Sequence, residues 1–202
     1  MKYKCITGGP ISENCYLLID EKTNQAAVVD PGFLNDALLN EIKKYTVQRI
    51  LLTHGHFDHI WEADRLHEML GVPVCAYETE AAFAADDKQN GSLLMMYESI
   101  TCKVHEAFKD GETFQIGEVP VTVLHTPGHT AGGVSYITPD AVFTGDTLMG
   151  YSVGRCDLPT GNSAELRESL KKLAALPGNP DICGGHGPVT MLEDEKRRNP
   201  YL

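Results

Sequence analysis

The chain has no long apolar run and no extended basic segment. No segment approaches the roughly 20 apolar residues that span a bilayer, and the N-terminal stretch with Lys2 and Lys4 lacks the apolar core of a signal peptide. Seventeen Lys and Arg against 28 Asp and Glu give a net charge of −11. This balance argues against nucleic acid, because phosphate contacts require clustered cations. We expect a cytoplasmic protein without a nucleic-acid or membrane partner.

Linkers, repeats and paired cysteine motifs are also missing. Six cysteines are scattered along 202 residues, and none forms a C-x-x-C pair. A chain of this length can bury a core without disulfides, so we expect reduced thiols. With 42% hydrophobic residues, it predicts a single domain over 1–202. Nothing in the sequence indicates the oligomeric state.

Predicted strands and helices alternate in both halves of the chain, which is typical of a layered α/β domain. Hydrophobic patterning and turn residues predict strands at 16–20, 26–30, 47–53, 72–76, 112–116, 119–125, 133–138 and 141–144. Helices are expected after the cap residue Asn35, over 60–70 and 78–86, from Ser163, and over 191–198. The segment 87–104 has weak periodicity. Within it, Leu93, Leu94 and Met96 are expected to pack in the core, with a substrate-covering lid as the alternative.

The stretch HGHFDH places four possible metal ligands directly after the predicted strand 47–53. His54 and His56 are two apart in extended chain, so their side chains point the same way. Asp58 and His59 follow where the chain turns into the next helix and approach from another side. Because these two are adjacent, they cannot easily join one metal held by both His54 and His56. A division between two metals is easier to build.

Three further candidates follow later apolar runs through turns that contain glycine. His129 occurs in TPGHT, Asp146 in GDTL and His186 in GGHG. Ligands of open α/β sheets bind at such strand ends. The seven donors suffice for two metals with an aspartate bridge and open positions for water.

The order of these motifs resembles the metallo-β-lactamase superfamily. GDTLMGYSVGRCDLPTGN and EKRRNPYL resemble its small hydroxyacylglutathione-hydrolase-like (glyoxalase II-like) branch, over nearly the whole chain. The resemblance implies an α/β fold, a four-layer αββα sandwich with a metal site at one edge of its two sheets. It also implies one metal on His54, His56 and His129, a second on Asp58, His59 and His186, and Asp146 as the bridge.

The implied function is a metal-dependent hydrolase of a small acyl compound, most directly a thioester of the hydroxyacylglutathione type. Two cations lower the pKa of a shared water, so that a metal-bridging hydroxide can attack the carbonyl. Asp58 and Asp146 would be the catalytic residues, the first orienting the hydroxide and the second holding both metals. We expect two zinc ions, with iron or manganese as alternatives, because a His/Asp set suits all three.

Substrate recognition is less defined. The resemblance suggests that Arg155 faces the substrate, where it could bind a carboxylate; a structural ion pair with Asp157 is the alternative. Cys156 stands where this branch has Thr and is either a packed small residue or a reactive thiol. Longer glyoxalase II-type enzymes carry a C-terminal helical domain that binds glutathione. We expect no such domain here, because the sequence ends at Leu202, soon after the last candidate ligand.

Two other functions stay open. A persulfide dioxygenase of the same fold would use one iron and resembles this chain at Arg155 and Asp157. A non-catalytic metal-binding protein is the other, although structural sites are usually closed by four ligands and seven donors leave positions open. A β-lactamase is disfavoured, because those enzymes commonly place a cysteine on the second metal and none of the six occupies a ligand position.

Overall fold

The computed structural model describes all 202 residues and contains two six-stranded sheets. The first sheet consists, in spatial order, of β1 (Lys2–Gly8), β2 (Glu13–Asp20), β3 (Gln25–Val29), β4 (Thr46–Leu51), β5 (Val74–Tyr77) and β6 (Glu106–Phe108). The second consists of β12 (Thr190–Met191), β11 (Asp181–Gly184), β10 (Ala141–Gly145), β9 (Val134–Ile137), β8 (Val119–His125) and β7 (Thr113–Ile116). Strands β3 to β6 are parallel to one another, as are β10 and β11; the remaining neighbours are antiparallel.

Seven helices accompany the sheets. They are α1 (Asp36–Ile42), α2 (Phe57–Ile60), α3 (Ala63–Leu70), α4 (Glu80–Ala84), α5 (Ser92–Met95), α6 (Ser163–Ala174) and α7 (Leu192–Arg198). The Asn35 side chain accepts a hydrogen bond from the Leu38 amide and so caps α1, as predicted. None of the helices is both long and apolar enough to cross a membrane.

The core has three parts, and together they define the layers. Tyr16 and Leu18 of β2 pack with Val123 and Phe143 between the two sheets. The opposite face of the first sheet packs against residues of α1, α2 and α3. The outer face of the second sheet packs against Leu166, Leu170 and Leu173 of α6. The predicted four-layer αββα sandwich is confirmed.

Strand β2 shows that the first sheet is covered on both of its faces. All eight of its residues are buried. Successive side chains of a strand point to opposite faces, so Leu17 and Ile19 face the helices while Tyr16 and Leu18 face the second sheet. Such two-sided burial is typical of a strand inside a layered fold.

The structure contains elements that were not predicted, namely strands β1, β6, β11 and β12 and the short helix α5. Strand β1 alternates between exposed and half-buried positions and has little apolar character. The helix predicted over 60–70 is divided, because α2 begins directly after His56 and a break precedes α3. Gly71 ends α3 with φ +69°, the left-handed conformation that is typical of a glycine at this position.

The core packing predicted for the segment 87–104 is wrong for two of its three residues. Leu93 and Leu94 are exposed, at 37% and 66%, whereas Met96 packs against the core under the first sheet. The cause is the short helix α5, which turns one side of this segment to the solvent. An apolar sequence without clear periodicity did not indicate which side would be buried.

Gly32 allows the loop after β3 to lie against the HGHFDH motif. A Cβ atom at this position would be 1.4 Å from the backbone carbonyl oxygen of Asp58. Because that oxygen belongs to the main chain, no side-chain rotation could relieve the clash. The absence of a side chain therefore fixes how closely the two loops approach.

We predict that Gly32→Ala lowers the free energy of unfolding by about 3 kcal/mol or more, as overpacking against backbone does at its severe end. Gly178→Ala is the control. Gly178 has φ +73° with no atom near the added Cβ, so it should lose only the roughly 1 kcal/mol of left-handed strain. Urea unfolding of both variants checks the difference. Equal losses would show that loop contact at Gly32 is not the constraint.

Candidate metal centre and active site

Five of the seven predicted ligands follow strand ends, and Asp58 and His59 lie in the adjoining helix α2. His54 and His56 follow β4 in the first sheet, whereas His129, Asp146 and His186 follow β8, β10 and β11 in the second. These last three strands run in the same direction, because β9 is antiparallel to both β8 and β10 and β11 is parallel to β10. Their carboxyl ends therefore meet at one edge of the second sheet. The loop after β4 reaches this edge, where the Val134 amide donates to the Thr53 carbonyl at 2.9 Å.

Three histidines form the first group. One ring nitrogen from each of His54, His56 and His129 lies within 4.8 Å of the others, and all three residues are buried. The nitrogens His56 Nδ1 and His129 Nε2 are 2.8 Å apart. This is the set that the family resemblance implied for the first metal.

Asp58, His59 and His186 form the second group. The Oδ2 atom of Asp58 lies 3.3 Å from His59 Nε2 and 3.2 Å from His186 Nε2. His59 is fully buried, whereas His186 is partly open to the solvent. This is the set assigned to the second metal.

Asp146 lies between the two groups. Its Oδ1 atom is 3.5 Å from His59 Nε2, and its Oδ2 atom is 3.5 Å from His129 Nε2 and 3.7 Å from His186 Nε2. One carboxylate thus contacts imidazoles from both sets. The structure brings all seven predicted residues together, and their roles as ligands stay a prediction.

Hydrogen bonds on the outer ring nitrogens orient three of the imidazoles. His59 Nδ1 donates to Asp30 Oδ2 at 3.0 Å, and His129 Nδ1 donates to the Arg155 carbonyl at 2.7 Å. His54 Nδ1 is 3.1 Å from the Thr53 hydroxyl, which itself donates to Asp30. In each ring the Nε2 lone pair is left free to face the centre, as for metal-binding histidines whose other nitrogen is held by a protein oxygen.

The ionisation of the cluster reflects burial together with opposite charges. Burial lowers the pKa of His56 to about 3 and also that of His54. Burial alone would raise the pKa of Asp146, but His59 and its neighbours outweigh it and hold that pKa at about 2. Burial alone would lower the pKa of His59, yet the carboxylates of Asp58, Asp30 and Asp146 hold it well above its ordinary value. The buried carboxylates therefore draw a positive charge into the site.

The donor set fits divalent cations. The atoms His54 Nε2, His56 Nε2, His59 Nε2 and Asp146 Oδ1 are buried without any hydrogen-bond partner. An unpartnered buried polar atom is costly, and all four belong to residues of the cluster, although in His56 it is the other nitrogen, Nδ1, that faces His129. Cations in the cluster would satisfy the atoms that face its centre and replace the positive charge that the carboxylates otherwise draw onto His59 as a proton.

Asp30 is a functional residue that sequence reasoning missed. Its carboxylate accepts from the Thr53 amide at 2.7 Å, from the Thr53 hydroxyl at 2.6 Å and from His59. Although it could join His54 and His59 as a third group of ligands, both of its oxygens are already engaged. The strand-end signal that identified Asp146 also applies to Asp30, which directly follows β3 and precedes Pro31.

Three more buried residues near the site had no recognisable sequence signal. The Asn14 side chain donates to the carbonyls of Gly184 and Gly187, at 3.0 and 2.9 Å, on either side of His186. Buried Glu80 accepts from the Thr130 hydroxyl and from the Gly55 amide, so it joins the loops that carry His129 and His56. Glu13 is also buried in this region, with both carboxylate oxygens unpartnered. Only the folded chain brings these residues to the site.

A cavity of about 290 Å³ opens onto the centre. His56, Asp58, His129, Asp146 and His186 form its polar wall. Arg155 lies at its edge, where its guanidinium also makes a two-point ion pair with Asp157 at 2.6 and 2.7 Å. Both sequence-based alternatives for Arg155 are thus compatible with its position, and substrate binding by Arg155 stays a prediction. Cys156 is half-buried beside it, and all six cysteines are free thiols.

Comparison with known families agrees with this geometry. The model of the metallo-beta-lactamase superfamily matches residues 8–186, which include every predicted ligand. The chain belongs to the metallo-beta-lactamase superfamily. It is 37% identical over 208 residues to a probable metallo-hydrolase, YqgX, of Bacillus subtilis, covering all of this chain and 98% of that protein. It is 31% identical to the hydroxyacylglutathione hydrolase GloC of Haemophilus influenzae, again covering all of this chain and 98% of the relative.

Solved structures of this superfamily share the whole fold. The BLEG-1 B3 metallo-beta-lactamase superposes with a TM-score of 0.93 at 34% identity, over 100% of this chain and 99% of that one. The protein TTHA1623 in a di-iron-bound form gives a TM-score of 0.84 at 33% identity, over 98% and 100%. The fold and the metallo-hydrolase superfamily predicted from the motifs are confirmed.

We predict that Asp30→Asn weakens metal binding by about 10- to 100-fold, the usual effect of losing the partner that orients a metal-binding histidine. The amide cannot accept all three hydrogen bonds while also placing its own NH₂ group. Competition with a chromophoric chelator measures the affinity.

The matched control for this substitution is Asp20→Asn. Asp20 is also a buried aspartate at a strand end that accepts backbone amides, but it lies outside the cluster. Its substitution should leave metal affinity unchanged. A similar loss in both variants would mean that Asp30 acts only through general stability.

We also predict that Glu80 makes stability depend on pH. Burial raises its pKa from 4.5 to about 7, so the folded protein holds a proton there that the unfolded chain releases. This stability is fully present below pH 4.5 and is lost as the pH rises to about 7, by on the order of 3 kcal/mol. Urea unfolding between pH 4.5 and 8 should show this loss relative to Glu80→Gln. Exposed Glu68→Gln should follow the wild type, and parallel profiles for wild type and Glu80→Gln would contradict the prediction.

Proposed function

We propose that this protein is a binuclear metal-dependent hydrolase that cleaves thioesters of small acyl groups. The observation that carries the proposal is the position of Asp146, whose two oxygens contact imidazoles of both three-residue groups within 3.5–3.7 Å. A single four-coordinate metal would leave three of the seven donors without a function. Two cations that share Asp146 would use them all.

Two divalent cations at this position would supply Lewis acidity, lowering the pKa of water between them and polarising a substrate carbonyl. The chain's own residues then divide the remaining tasks. His54, His56 and His129 would hold one cation, and His59 and His186 the other together with Asp58. Asp58 also lies on the cavity wall, where its carboxylate can orient the attacking water and accept its proton.

A thioester suits the site because its leaving group needs no acid. A cysteine-type thiol such as that of glutathione has a pKa near 8.5, so it departs as a thiolate that Arg155 beside the cavity can stabilise. The donor set favours zinc, iron or manganese, and the di-iron form of TTHA1623 supports iron as a further candidate besides zinc. The name of the GloC relative supports a hydroxyacylglutathione as one substrate of the class. The cytoplasm, where glutathione thioesters occur, is the proposed location, and a small-molecule thioester is the proposed partner.

A second candidate is hydrolysis of β-lactams. The TM-score of 0.93 to a structure described as a B3 metallo-beta-lactamase favours testing it. The same centre could attack a lactam carbonyl. A lactam nitrogen is a poorer leaving group than a thiolate and requires a proton. Apart from the proposed metal ligands, the cavity wall has no acidic side chain that could donate one. We therefore rank thioesters first.

We predict that protein purified without chelator contains close to two metal ions per chain and hydrolyses S-lactoylglutathione. Elemental analysis gives the metal content, and a thiol-reactive dye follows the reaction. His59→Ala should retain about one metal ion per chain, whereas Asp146→Ala should weaken both sites because it contacts both groups. The hydrolysis rate should be the same with and without oxygen.

Four results would contradict the proposal. One metal per chain that added metal does not raise would exclude a binuclear centre. Oxygen uptake by iron-loaded protein with glutathione persulfide, while thioesters stay intact with every metal, would identify a mononuclear dioxygenase instead. Rapid penicillin hydrolysis with slow thioester cleavage would reverse the order of the two hydrolase candidates. Metal binding without turnover of any of these compounds would favour a non-catalytic protein.

A further inference from the structure

Exposed apolar side chains are concentrated at the mouth of the active-site cavity. The molecule has eight large hydrophobic residues with exposed side chains, and five of them are Ile11, Leu93, Leu94, Met95 and Tyr97. Ile11 and Met95 line the cavity itself. The other three lie within two residues of Met95 in the chain. We call these five residues the apolar rim.

The cavity continues the apolar rim inward. Besides its polar wall, it is lined by Phe57, Met149 and Leu158. The reacting centre is therefore approached through an apolar entrance that leads to a charged floor. An exposed apolar patch on an otherwise acidic surface marks an interaction site.

The rim segment is anchored, so its exposure is a feature of the folded protein. Buried Asn90 donates to the Ile100 carbonyl at 2.7 Å and accepts from the Ser92 amide at 3.0 Å. Met96 packs against the core from the inner side. Tyr97 has φ +56° and is 91% exposed. A left-handed conformation is unfavourable for a bulky residue, and such strain tends to be kept at ligand-binding sites.

We propose that the apolar rim binds an extended apolar group of the thioester substrate, and that Met95 and Ile11 determine this preference. The inference rests on the proposed thioester hydrolysis and names its substrate class. A cavity of about 290 Å³ is small for a ligand site, so a chain longer than a few carbons would extend onto Leu94 and Tyr97. A membrane surface is the less suitable occupant, because a net charge of −11 is repelled by anionic lipids.

The first experiment compares two series of thioesters. In one series the acyl group of N-acetylcysteamine is acetyl, hexanoyl or decanoyl; in the other, acetyl is kept and the thiol is methyl, hexyl or decyl. We expect kcat/KM to rise by about two- to fourfold per added methylene, as for partial to full burial of that group, in the series whose variable part meets the rim. If kcat/KM rises with length only in the acyl series, the rim binds the acyl chain of the substrate. If it rises only in the thiol series, the rim binds the thiol part.

Met95→Ala should flatten that rise and lower kcat/KM for the decyl or decanoyl compound by about tenfold, because it removes most of one apolar contact. Ile11→Ala should act in the same direction. Met69→Ala is the matched control, since Met69 is 51% exposed and does not line the cavity. It should leave the chain-length dependence unchanged.

Calorimetric binding of uncleavable thioethers separates this inference from the proposed function. Methyl, hexyl and decyl thioethers of N-acetylcysteamine should bind with increasing affinity to wild type and Met69→Ala, and with a weaker dependence on length to Met95→Ala. This result without any thioester turnover would keep the apolar site and reject the hydrolase.

Turnover and binding that are both independent of chain length would overturn the proposal. So would an equal loss in Met95→Ala and Met69→Ala. Binding to neutral phosphatidylcholine vesicles that Met95→Ala abolishes, with no preference among thioethers, would replace the substrate group by a lipid surface.

Discussion

The burial of carboxylates and imidazoles at one edge of the sandwich is the constraint on which the rest of this structure depends. Asp58, Asp146 and four of the five predicted histidine ligands are less than 10% exposed. Removing a charge from water is costly unless it is paired or bound to a cation. The cluster cannot be explained as a stable core on its own, because four of its polar atoms have no partner. It is understandable as a site that is completed by cations.

The surrounding fold holds this cluster in place through contacts between loops. Asp30 fixes Thr53 and His59, Glu80 joins the loops of His56 and His129, and Asn14 holds the turn around His186. Each of these residues comes from the first sheet or from the segments beside it. Two of the three contact loops of the second sheet, so the donor set is assembled across the interface between the sheets. Gly32 also helps to hold the cluster, because its lack of a side chain lets the loop after β3 lie against the backbone of Asp58.

The site combines this rigid, charged floor with an apolar entrance. The floor suits a reaction in which charge develops at a carbonyl, where preorganised groups act most strongly. The apolar rim would supply binding energy away from the reacting atoms, which can be used to position the substrate. Superfamily membership supports metallo-hydrolase chemistry, whereas the features that we propose to select the substrate are Ile11 and the segment 92–97 of this chain.

The sequence by itself determined the layered α/β architecture and the seven candidate ligands. Apolar runs that end in His, Asp and Gly carry this information locally, since a strand end and its turn lie within a few residues of each other. Only the tertiary structure decided that Asp146 contacts both groups, that Asp30, Glu80 and Asn14 support them, and that Leu93 and Leu94 are exposed. Those facts depend on which loops the two sheets bring together. The partner of Glu80 lies 50 residues away, and that of Asn14 lies 170. No local pattern reports a contact of that separation, because it is set by the packing of one sheet on the other.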